Sequence, residues 1–170
     1  MVRVVPYRRE WKSGFVDERK RLKKALGALA LDIQHIGSTA VAGLAAKPII
    51  DIGVAVRSLK DVRRCIEPLK KLDYRYGGQA GIPHQRIFVK GPERRRTHFL
   101  HFVELRRTGW KDYLLYRDIL SSNAEVRDNY AGLKFALWKK FPKDRLLYTR
   151  GKSRFIRATL RRARQALEVQ

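Results

Sequence analysis

The chain contains stretches in which apolar residues follow helical spacing and stretches in which they follow strand-like spacing. Over 15–29 apolar residues recur at helical spacing with charges between them, which predicts an amphipathic helix. Short apolar runs predict strands at 33–36, at 48–56, from near Tyr74, at 86–89 and at 97–103. The run at 48–56 is almost continuously apolar, which is typical of a strand covered on both faces.

The segments between these strands and the C-terminal third complete the predicted architecture. The remaining predicted elements are a helix from Ser58 to about Lys71, a loop at 77–83, a basic turn at 90–96, and helices near 110–121, 123–140 and 143–168. We therefore expect an α/β fold, with a mixed α/β core over about 1–108 and a helical part over about 109–170. The length fits a single domain over residues 1–170.

The composition is that of a globular protein. Hydrophobic residues make up 44% of the 170 residues and aromatic residues 10%, which argues against disorder as the main state. A single cysteine, Cys65, excludes an internal disulfide and a cysteine-based zinc site. No apolar run approaches the roughly 20 residues of a membrane span, and residues 1–12 contain no apolar signal core. We therefore expect a cytoplasmic protein.

The charge balance is strongly positive. The chain has 39 Lys and Arg against 16 Asp and Glu, a formal net charge of +23. A field of this sign attracts polyanions such as RNA, DNA, nucleotides or acidic lipid surfaces. A proteome that is rich in basic residues throughout would produce the same composition. We expect a nucleotide or another phosphate-bearing partner, with RNA as an alternative.

A small-residue turn and an acid on the following strand form the first candidate site. Gly37 and Ser38 follow the first predicted strand, and Asp51 lies within the apolar strand. A glycine backbone can approach a phosphate closely, while Ser38 and neighbouring amides such as that of Thr39 donate hydrogen bonds to it. A Mg²⁺ ion on Asp51 would bridge to the same phosphates. Alternatively, Asp51 pairs with a base such as Lys47, itself a candidate phosphate ligand.

The turn and strand lie within a longer recognisable stretch. Residues 35–52 read His-Ile-Gly-Ser-Thr-Ala-Val-Ala-Gly-Leu-Ala-Ala-Lys-Pro-Ile-Ile-Asp-Ile. Further matching positions are Tyr7, Trp11, 97–103, Tyr116-Arg117-Asp118, Tyr130, Leu133-Lys134, Tyr148, Lys152 and Phe155-Ile156. This ordered set covers nearly the whole chain and resembles the GrpB family, a branch predicted to have the nucleotidyltransferase fold. The resemblance implies a mixed β-sheet flanked by helices, with a C-terminal helical cluster.

The resemblance also implies an activity, from which this sequence departs at one position. Nucleotidyltransferases carry a Gly-Ser or Gly-Gly turn, then an acidic pair with one residue between on the next strand, and they transfer a nucleotidyl group with release of pyrophosphate. Gly53 stands here where the second acid would be. Two-metal catalysis needs carboxylates that hold two cations about 3.5–4 Å apart. The substitution leaves a single-metal arrangement, a substrate-assisted one, or a binding site without chemistry. Ala42, where the family usually has proline, changes only turn rigidity.

A further catalytic group is expected on the last predicted strand. Glu104 shares a face of that strand with His98, and His101 lies on the opposite face. Alternation does not decide which face meets Asp51, so both Glu104 and His101 are candidate catalytic residues. The alternative for His101 is a histidine satisfied within the core.

The C-terminal helices carry a second candidate feature, a basic stripe. Between 139 and 164 there are eleven Lys or Arg and one acid, Asp144. The stripe consists of Arg150, Arg154, Arg157, Arg161 and Arg164, and an apolar stripe on the other side consists of Ile156, Leu160, Ala163 and Leu167. Such a row suits a phosphate backbone or an acidic partner, although it would also suit a solvated basic face.

Three other basic residues lie in motifs of the resemblance, beside aromatic residues. Arg117, Lys134 and Lys152 belong to helices that would close over the strand ends. We expect them to bind a triphosphate or an acidic acceptor, with Asp118 orienting one of them.

Three hypotheses follow. In the first, the protein is a nucleotidyltransferase-like enzyme that uses Mg²⁺ on Asp51 and an unknown acceptor. In the second, the same pocket binds a nucleotide or phosphate without catalysis, which Gly53 favours. In the third, the arginine stripe binds RNA or DNA.

Overall fold

The structure, a computed structural model, describes residues 3–79 and 83–168. The strands are β1 (Asp32–Ile36), β2 (Ile50–Val56), β3 (Tyr74–Gly78), β4 (Arg86–Lys90) and β5 (His98–Glu104). The α-helices are α1 (Glu10–Leu26), α2 (Ile66–Lys70), α3 (Thr108–Ser122), α4 (Ala124–Lys140), α5 (Arg145–Gly151) and α6 (Ser153–Glu168). The predicted α/β class, with a mixed sheet and a C-terminal helical cluster, is confirmed.

The five strands form one sheet in the order β1-β2-β5-β4-β3. Strands β2 and β5 run parallel, and the other neighbours run antiparallel. The parallel register sets Asp51 beside Phe99 and Gly53 beside His101. Because residues paired across neighbouring strands share a face, Asp51, Gly53, Phe99 and His101 lie on the same side of the sheet.

The opposite side of the sheet forms the main core. Ile52, Val54, Leu100 and Phe102 are completely buried there, against residues of α1 and of the segment 61–70. His98 and Glu104 share the strand face of Leu100 and Phe102. The face of β5 that carries His98 and Glu104 is thus the core face, and these two polar residues lie at the ends of the strand.

The C-terminal helices cover the face that carries Asp51. Trp110 of α3 packs with Ala55 and Val103 in a small cluster on this face. A Cβ at Gly53 would lie 3.0 Å from Trp110 Cζ3 and 3.3 Å from Ile36 Cγ2. A side chain at position 53 would therefore crowd the indole of α3, which leaves little room for a carboxylate beside Asp51.

Two predicted helices differ from the observed ones. The first helix begins at Glu10 rather than at residue 15, and it ends before Gly27, whose φ of 51° suits glycine. The helix predicted to start at Ser58 is reduced to a 3₁₀ turn and the short α2. Of the predicted loop 77–83, Gly77 and Gly78 belong to β3 and residues 80–82 lie outside the described part.

The helix predicted over 143–168 is divided into α5 and α6. Lys152 separates them, and its N–H bonds to the carbonyl of Thr149 three residues earlier instead of four. Gly151 just before it packs closely on Leu137 of α4, where a Cβ would collide with the leucine. The break between α5 and α6 therefore coincides with the close contact of Gly151 with α4.

Lys134 fastens α4 to the segment that leads into β2. Its side chain is 2% exposed, and Nζ donates a hydrogen bond to the carbonyl of Ala45. The ammonium also lies 4.9 Å from the ring centroid of Tyr130. Burial, and the nearby charge of Lys152, lower the pKa of Lys134 to about 7.

Among the described residues, no helix is long and apolar enough to cross a membrane.

A methyl group at position 53 tests the packing of Trp110 on the sheet. Gly53→Ala should lower the free energy of unfolding by about 1–3 kcal/mol, because the added Cβ crowds an indole that has little room to move. Chemical denaturation with tryptophan fluorescence measures the change. Gly109→Ala is a control, since a Cβ there would meet no atom within 4 Å. Equal stability of both variants and the wild type would contradict the packing argument.

Replacement of the buried lysine tests its ionisation. The pKa of Lys134 is lower in the folded chain than in the unfolded one, so between pH 7 and 10 the unfolded state binds more protons. This group therefore raises the free energy of unfolding as pH increases over that window. In Lys134→Met the increase between pH 7 and 9.5 should be smaller than in the wild type, measured by urea denaturation. An unchanged pH slope would show that Lys134 titrates normally.

Candidate functional site

A cavity with two lobes lies between the Asp51 face of the sheet and the C-terminal helices. We call one part the basic lobe, lined by Lys47, Arg96, Arg145 and Lys152 together with Phe99 and Tyr148; its volume is about 590 Å³. The other part is the tyrosine lobe, lined by Tyr113, Tyr116 and Tyr130 with Val103, Ile156 and Leu160; its volume is about 510 Å³. Six residues line both lobes: Gly37, Ser38, Asp51, Gln85, Tyr113 and Lys152.

Asp51 lies where the two lobes meet, and Gly37 lies directly against it. Gly37 has φ 68°, and a Cβ there would stand 2.8 Å from Asp51 Oδ2. Glycine is needed both for this conformation and for the close approach. The turn and the acid therefore converge on one cavity, as their sequence pattern predicts, and Ser38 lines the cavity beside them.

Asp51 is also part of a short chain of hydrogen bonds. Its Oδ1 lies 3.1 Å from His101 Nε2, and Tyr113 Oη lies 3.4 Å from the other ring nitrogen, Nδ1. The same Tyr113 hydroxyl donates to Gln85 Oε1 at 2.8 Å. With Nε2–H directed at Asp51, the Nδ1 atom of His101 carries no proton, and the single hydroxyl hydrogen of Tyr113 is directed at Gln85 and not at Nδ1.

The surroundings of Asp51 favour its charged form. Burial works against the charge, but the hydrogen bond from His101 and the charges of His101, Lys47 and Lys152 outweigh it and lower the pKa of the carboxyl. One third of the side chain remains exposed. Asp51 is thus an ionised acid that is paired internally and still faces the cavity.

Four of the five basic side chains that line the basic lobe lie near two aromatic rings. Lys47 and Lys152 lie 5.3 and 4.8 Å from the ring centroid of Tyr148. Arg96 and Arg145 lie 5.5 and 5.0 Å from that of Phe99. These rings hold the cations close together by cation–π contact.

Crowding of these cations lowers their proton affinity. Burial, followed by the charges of Lys152 and Arg145, lowers the pKa of Lys47 to about 8. Burial also lowers the pKa of Lys152, and the charge of Arg145 adds to this effect, while Asp51 opposes it. A second anion in the lobe would relieve this repulsion.

Two predicted phosphate ligands line the cavity but already have partners. The hydroxyl of the buried Thr39 lies 3.0 Å from His35 Nε2, and the His35 ring stacks on Phe15. Burial lowers the pKa of His35 to about 4, so this histidine is neutral at physiological pH. Lys134 lines the basic lobe, with its ammonium bonded to the Ala45 carbonyl.

The structure places Arg117 and Glu104 away from the cavity wall. Arg117 donates to Gln34 Oε1 at 3.1 Å and to the His35 carbonyl at 3.2 Å, which ties α3 to β1, and Asp118 holds its Nε at 2.8 Å. Glu104 accepts from the Leu59 N–H and from Arg107. Neither contact brings these two side chains to Asp51, whereas His101 is in direct contact with it.

The acids present do not fit a two-metal centre. Among the described residues, no group of three or more His, Cys, Asp or Glu side chains is arranged to hold a metal ion. Asp51 is a single carboxylate, already bonded to a histidine and surrounded by the four cations of the basic lobe. Hard divalent cations prefer several oxygen ligands with negative charge. A resident Mg²⁺ ion therefore does not match this donor set.

Several residues of the cavity escaped the sequence analysis. Arg96 and Arg145 were included only in basic runs, and Tyr113 and Gln85 were not singled out. Their isolated positions carry no local motif, because the segments around β4 and β5 and the helices α3 and α5 bring them together only in the fold. Other cavity residues had a signal as matching positions of the family resemblance, among them Tyr116, Tyr130 and Tyr148.

The arginine stripe forms a separate surface. Arg154, Arg157 and Arg161 are exposed on α6, while Arg164 pairs with Asp112 of α3. On the other side Leu160 is buried, but Leu167 is 62% exposed, so the packed stripe ends before it. The amphipathic helix is confirmed over most of its predicted length.

Comparison with known proteins agrees with this architecture. The glutamate-rich protein GrpB of Alkalihalophilus pseudofirmus is 38% identical over 157 residues, which cover 90% of each chain. The crystal structure of the conserved protein GrpB from Enterococcus faecalis matches with a TM-score of 0.88 at 32% identity, covering 97% of this chain and 99% of the other.

A more distant similarity involves a longer protein. A dephospho-CoA kinase of Mycolicibacterium paratuberculosis is 30% identical over 190 aligned positions, which cover 95% of this chain and 46% of the kinase. The chain therefore spans less than half of that relative.

The sequence model of the family described as GrpB protein matches residues 1–162. With this match and the two GrpB relatives, the chain belongs to the GrpB family.

Proposed function

We propose that this protein binds a nucleotide or another phosphate-bearing ligand in the cavity, with the phosphate groups in the basic lobe. The observation that carries the proposal is the convergence of Lys47, Arg96, Arg145 and Lys152 on one wall. Two acids also line the lobe: Glu93, and Asp51, which already has a hydrogen-bonding partner in His101. The positive charge of the lobe therefore exceeds what the lobe itself neutralises.

The electrostatics support an anionic ligand. Burial is the main cause of the lowered pKa values of Lys47 and Lys152, and neighbouring cations lower both values further. A phosphate group would gain charge-assisted hydrogen bonds from these cations, which are about twice as strong as neutral ones. Gly37 and Ser38 line the same cavity. Because Gly37 has no side chain, a phosphate can approach the backbone of this turn closely.

Binding without metal-dependent nucleotidyl transfer fits the residues better than the enzyme of the first hypothesis. The packing of Trp110 on Gly53 removes the place of the second acid. One observation does favour chemistry as a second candidate function: the Asp51–His101 pair lines the basic lobe, and a histidine bonded to a carboxylate can accept a proton from an acceptor hydroxyl.

The relative named dephospho-CoA kinase is consistent with a nucleotide ligand, since dephospho-CoA is itself a nucleotide with two phosphates. The present chain has no GxxxxGK[ST] sequence, so its similarity to that kinase does not include a P-loop. We therefore use dephospho-CoA as a test ligand and propose no kinase activity.

Removal of a lobe cation should weaken phosphate binding. Lys152→Ala and Lys47→Ala should each lower the affinity for inorganic tripolyphosphate by about tenfold, the size of one charge-assisted hydrogen bond. Isothermal titration calorimetry in buffer without divalent cations measures the affinity, with ATP and dephospho-CoA as further ligands.

Lys139→Ala is the matched control, because it removes the same charge from an exposed position outside the cavity. It should leave the affinity unchanged within about twofold, as expected for a distant surface charge. An equal loss in all three variants would attribute binding to the overall charge of the protein and exclude the basic lobe as the site.

The affinity for tripolyphosphate should decrease as pH rises above 8. Lys47 loses its proton near pH 8 in the free protein, whereas an ordinary lysine remains charged to about pH 10. Titrations between pH 7 and 9.5 on wild type and Lys47→Arg measure the effect, because arginine stays protonated throughout. A smaller pH dependence in Lys47→Arg supports this assignment, and an identical dependence in both proteins contradicts it.

A further inference from the structure

The tyrosine lobe differs chemically from the basic lobe beside it. Its walls come from Tyr113 and Tyr116 of α3, Tyr130 of α4, and Ile156 and Leu160 of α6. The three phenols bring aromatic surface into one cavity of about 510 Å³. That volume lies within the range of small-molecule sites, roughly 300–1,000 Å³.

Apart from the residues that it shares with the basic lobe, the tyrosine lobe is lined by side chains with little net charge. Burial raises the pKa of Tyr113, of Tyr116 and of Tyr130, the last to about 12, so all three phenols stay neutral at physiological pH. Two charged side chains that line it have partners: Arg107 pairs with Glu104, and Asp112 pairs with Arg164. The lobe thus suits an uncharged group with a flat face.

The side-chain amide of Gln85 has a nitrogen without a hydrogen-bonding partner in the part of the chain that the structure describes. Its side chain is 1% exposed and lines both lobes. Oε1 accepts from Tyr113, but Nε2 has no hydrogen-bonding partner among the described residues. A buried amide N–H without a partner costs about 1–3 kcal/mol.

The two lobes adjoin at six shared lining residues, which places both within reach of one molecule. Ser38, Asp51 and Lys152 line the two of them and mark the junction. A ligand with phosphates in the basic lobe would extend past these residues and place its remaining part among the tyrosines.

We propose that the tyrosine lobe binds the base of a nucleotide whose phosphates occupy the basic lobe; this inference rests on the proposed function. The base lies against tyrosine rings, and its polar edge pairs with the amide of Gln85. Stacking of one base on an aromatic side chain contributes about 1–3 kcal/mol.

An alkyl phosphate is the main competing ligand, and the unpaired amide of Gln85 disfavours it. An alkyl chain would fill the apolar wall formed by Val103, Ile156 and Leu160 but would leave the buried amide unpaired. A base edge carries both donors and acceptors and satisfies the amide.

The test compares three ligands on the full chain by isothermal titration calorimetry: ATP, inorganic tripolyphosphate and octyl phosphate. ATP should bind the wild type about tenfold more tightly than tripolyphosphate, as expected for one stacked base. Gln85→Leu and Leu160→Trp should remove this difference, the first by deleting the amide and the second by filling the lobe. In Leu160→Trp the affinity for tripolyphosphate should stay the same, because Leu160 lines the tyrosine lobe and not the basic lobe.

The control is Leu167→Trp, which adds the same side chain to α6 at a position that is 62% exposed and outside the cavity. It should leave the affinity for ATP unchanged. If Leu160→Trp does not fold, Gln85→Leu and the comparison of ligands on the wild type still decide.

The outcomes separate this inference from the proposed function. If tripolyphosphate binds and ATP binds no more tightly, the base site is overturned and the phosphate site stands. If octyl phosphate binds as tightly as ATP, and Gln85→Leu strengthens it, the lobe accepts an alkyl chain and the base site is again overturned. If neither ATP nor tripolyphosphate binds, both proposals fail.

Discussion

The contact between Asp51 and His101 is the interaction on which the candidate site depends. It keeps one negative charge on the face of the sheet that the C-terminal helices cover, where an unpaired carboxylate would be costly to bury. Gly37 allows the backbone to come up to this carboxylate, and the cavity surrounds it on both sides. The cations of the basic lobe then outnumber its two lining acids, Glu93 and Asp51, and Asp51 is already bonded to His101.

The same face explains why the protein keeps the fold expected of its family but not the acidic pair implied by the resemblance. Trp110 packs on Gly53 and closes the sheet surface two residues beyond Asp51. A second carboxylate would require the indole and the start of α3 to move. The site has instead a histidine on one side of Asp51 and lysine and arginine side chains around the lobe, which favours the binding of phosphate by charge over coordination through metal ions.

The C-terminal helices contribute unequally to the two lobes, which therefore differ in chemistry: α5 contributes to the basic lobe, and α6 contributes to the tyrosine lobe. Aromatic rings hold cations together in one lobe, while neutral phenols and aliphatic side chains line the other. Lys152 lies between α5 and α6, and its side chain lines both lobes. The exposed arginines Arg154, Arg157 and Arg161 of α6 line neither lobe of the cavity. Their contribution to binding of a polyanion remains a separate prediction of the sequence.

The sequence by itself determined the class of fold, the five strands, the approximate C-terminal helices and the family, because these follow from local periodicity and from an ordered set of motifs. It also brought Gly37, Ser38 and Asp51 together, since only the connection between the neighbouring strands β1 and β2 separates them. Only the tertiary structure decided that His101, rather than Glu104, meets Asp51, because alternation leaves the two faces of a strand equivalent until a partner strand and a helix cover them. It also assigned Arg117 to a link between α3 and β1, and it added Arg145, Arg96, Tyr113 and Gln85 to the cavity. Such convergence depends on contacts between residues distant in the chain, which no local pattern records.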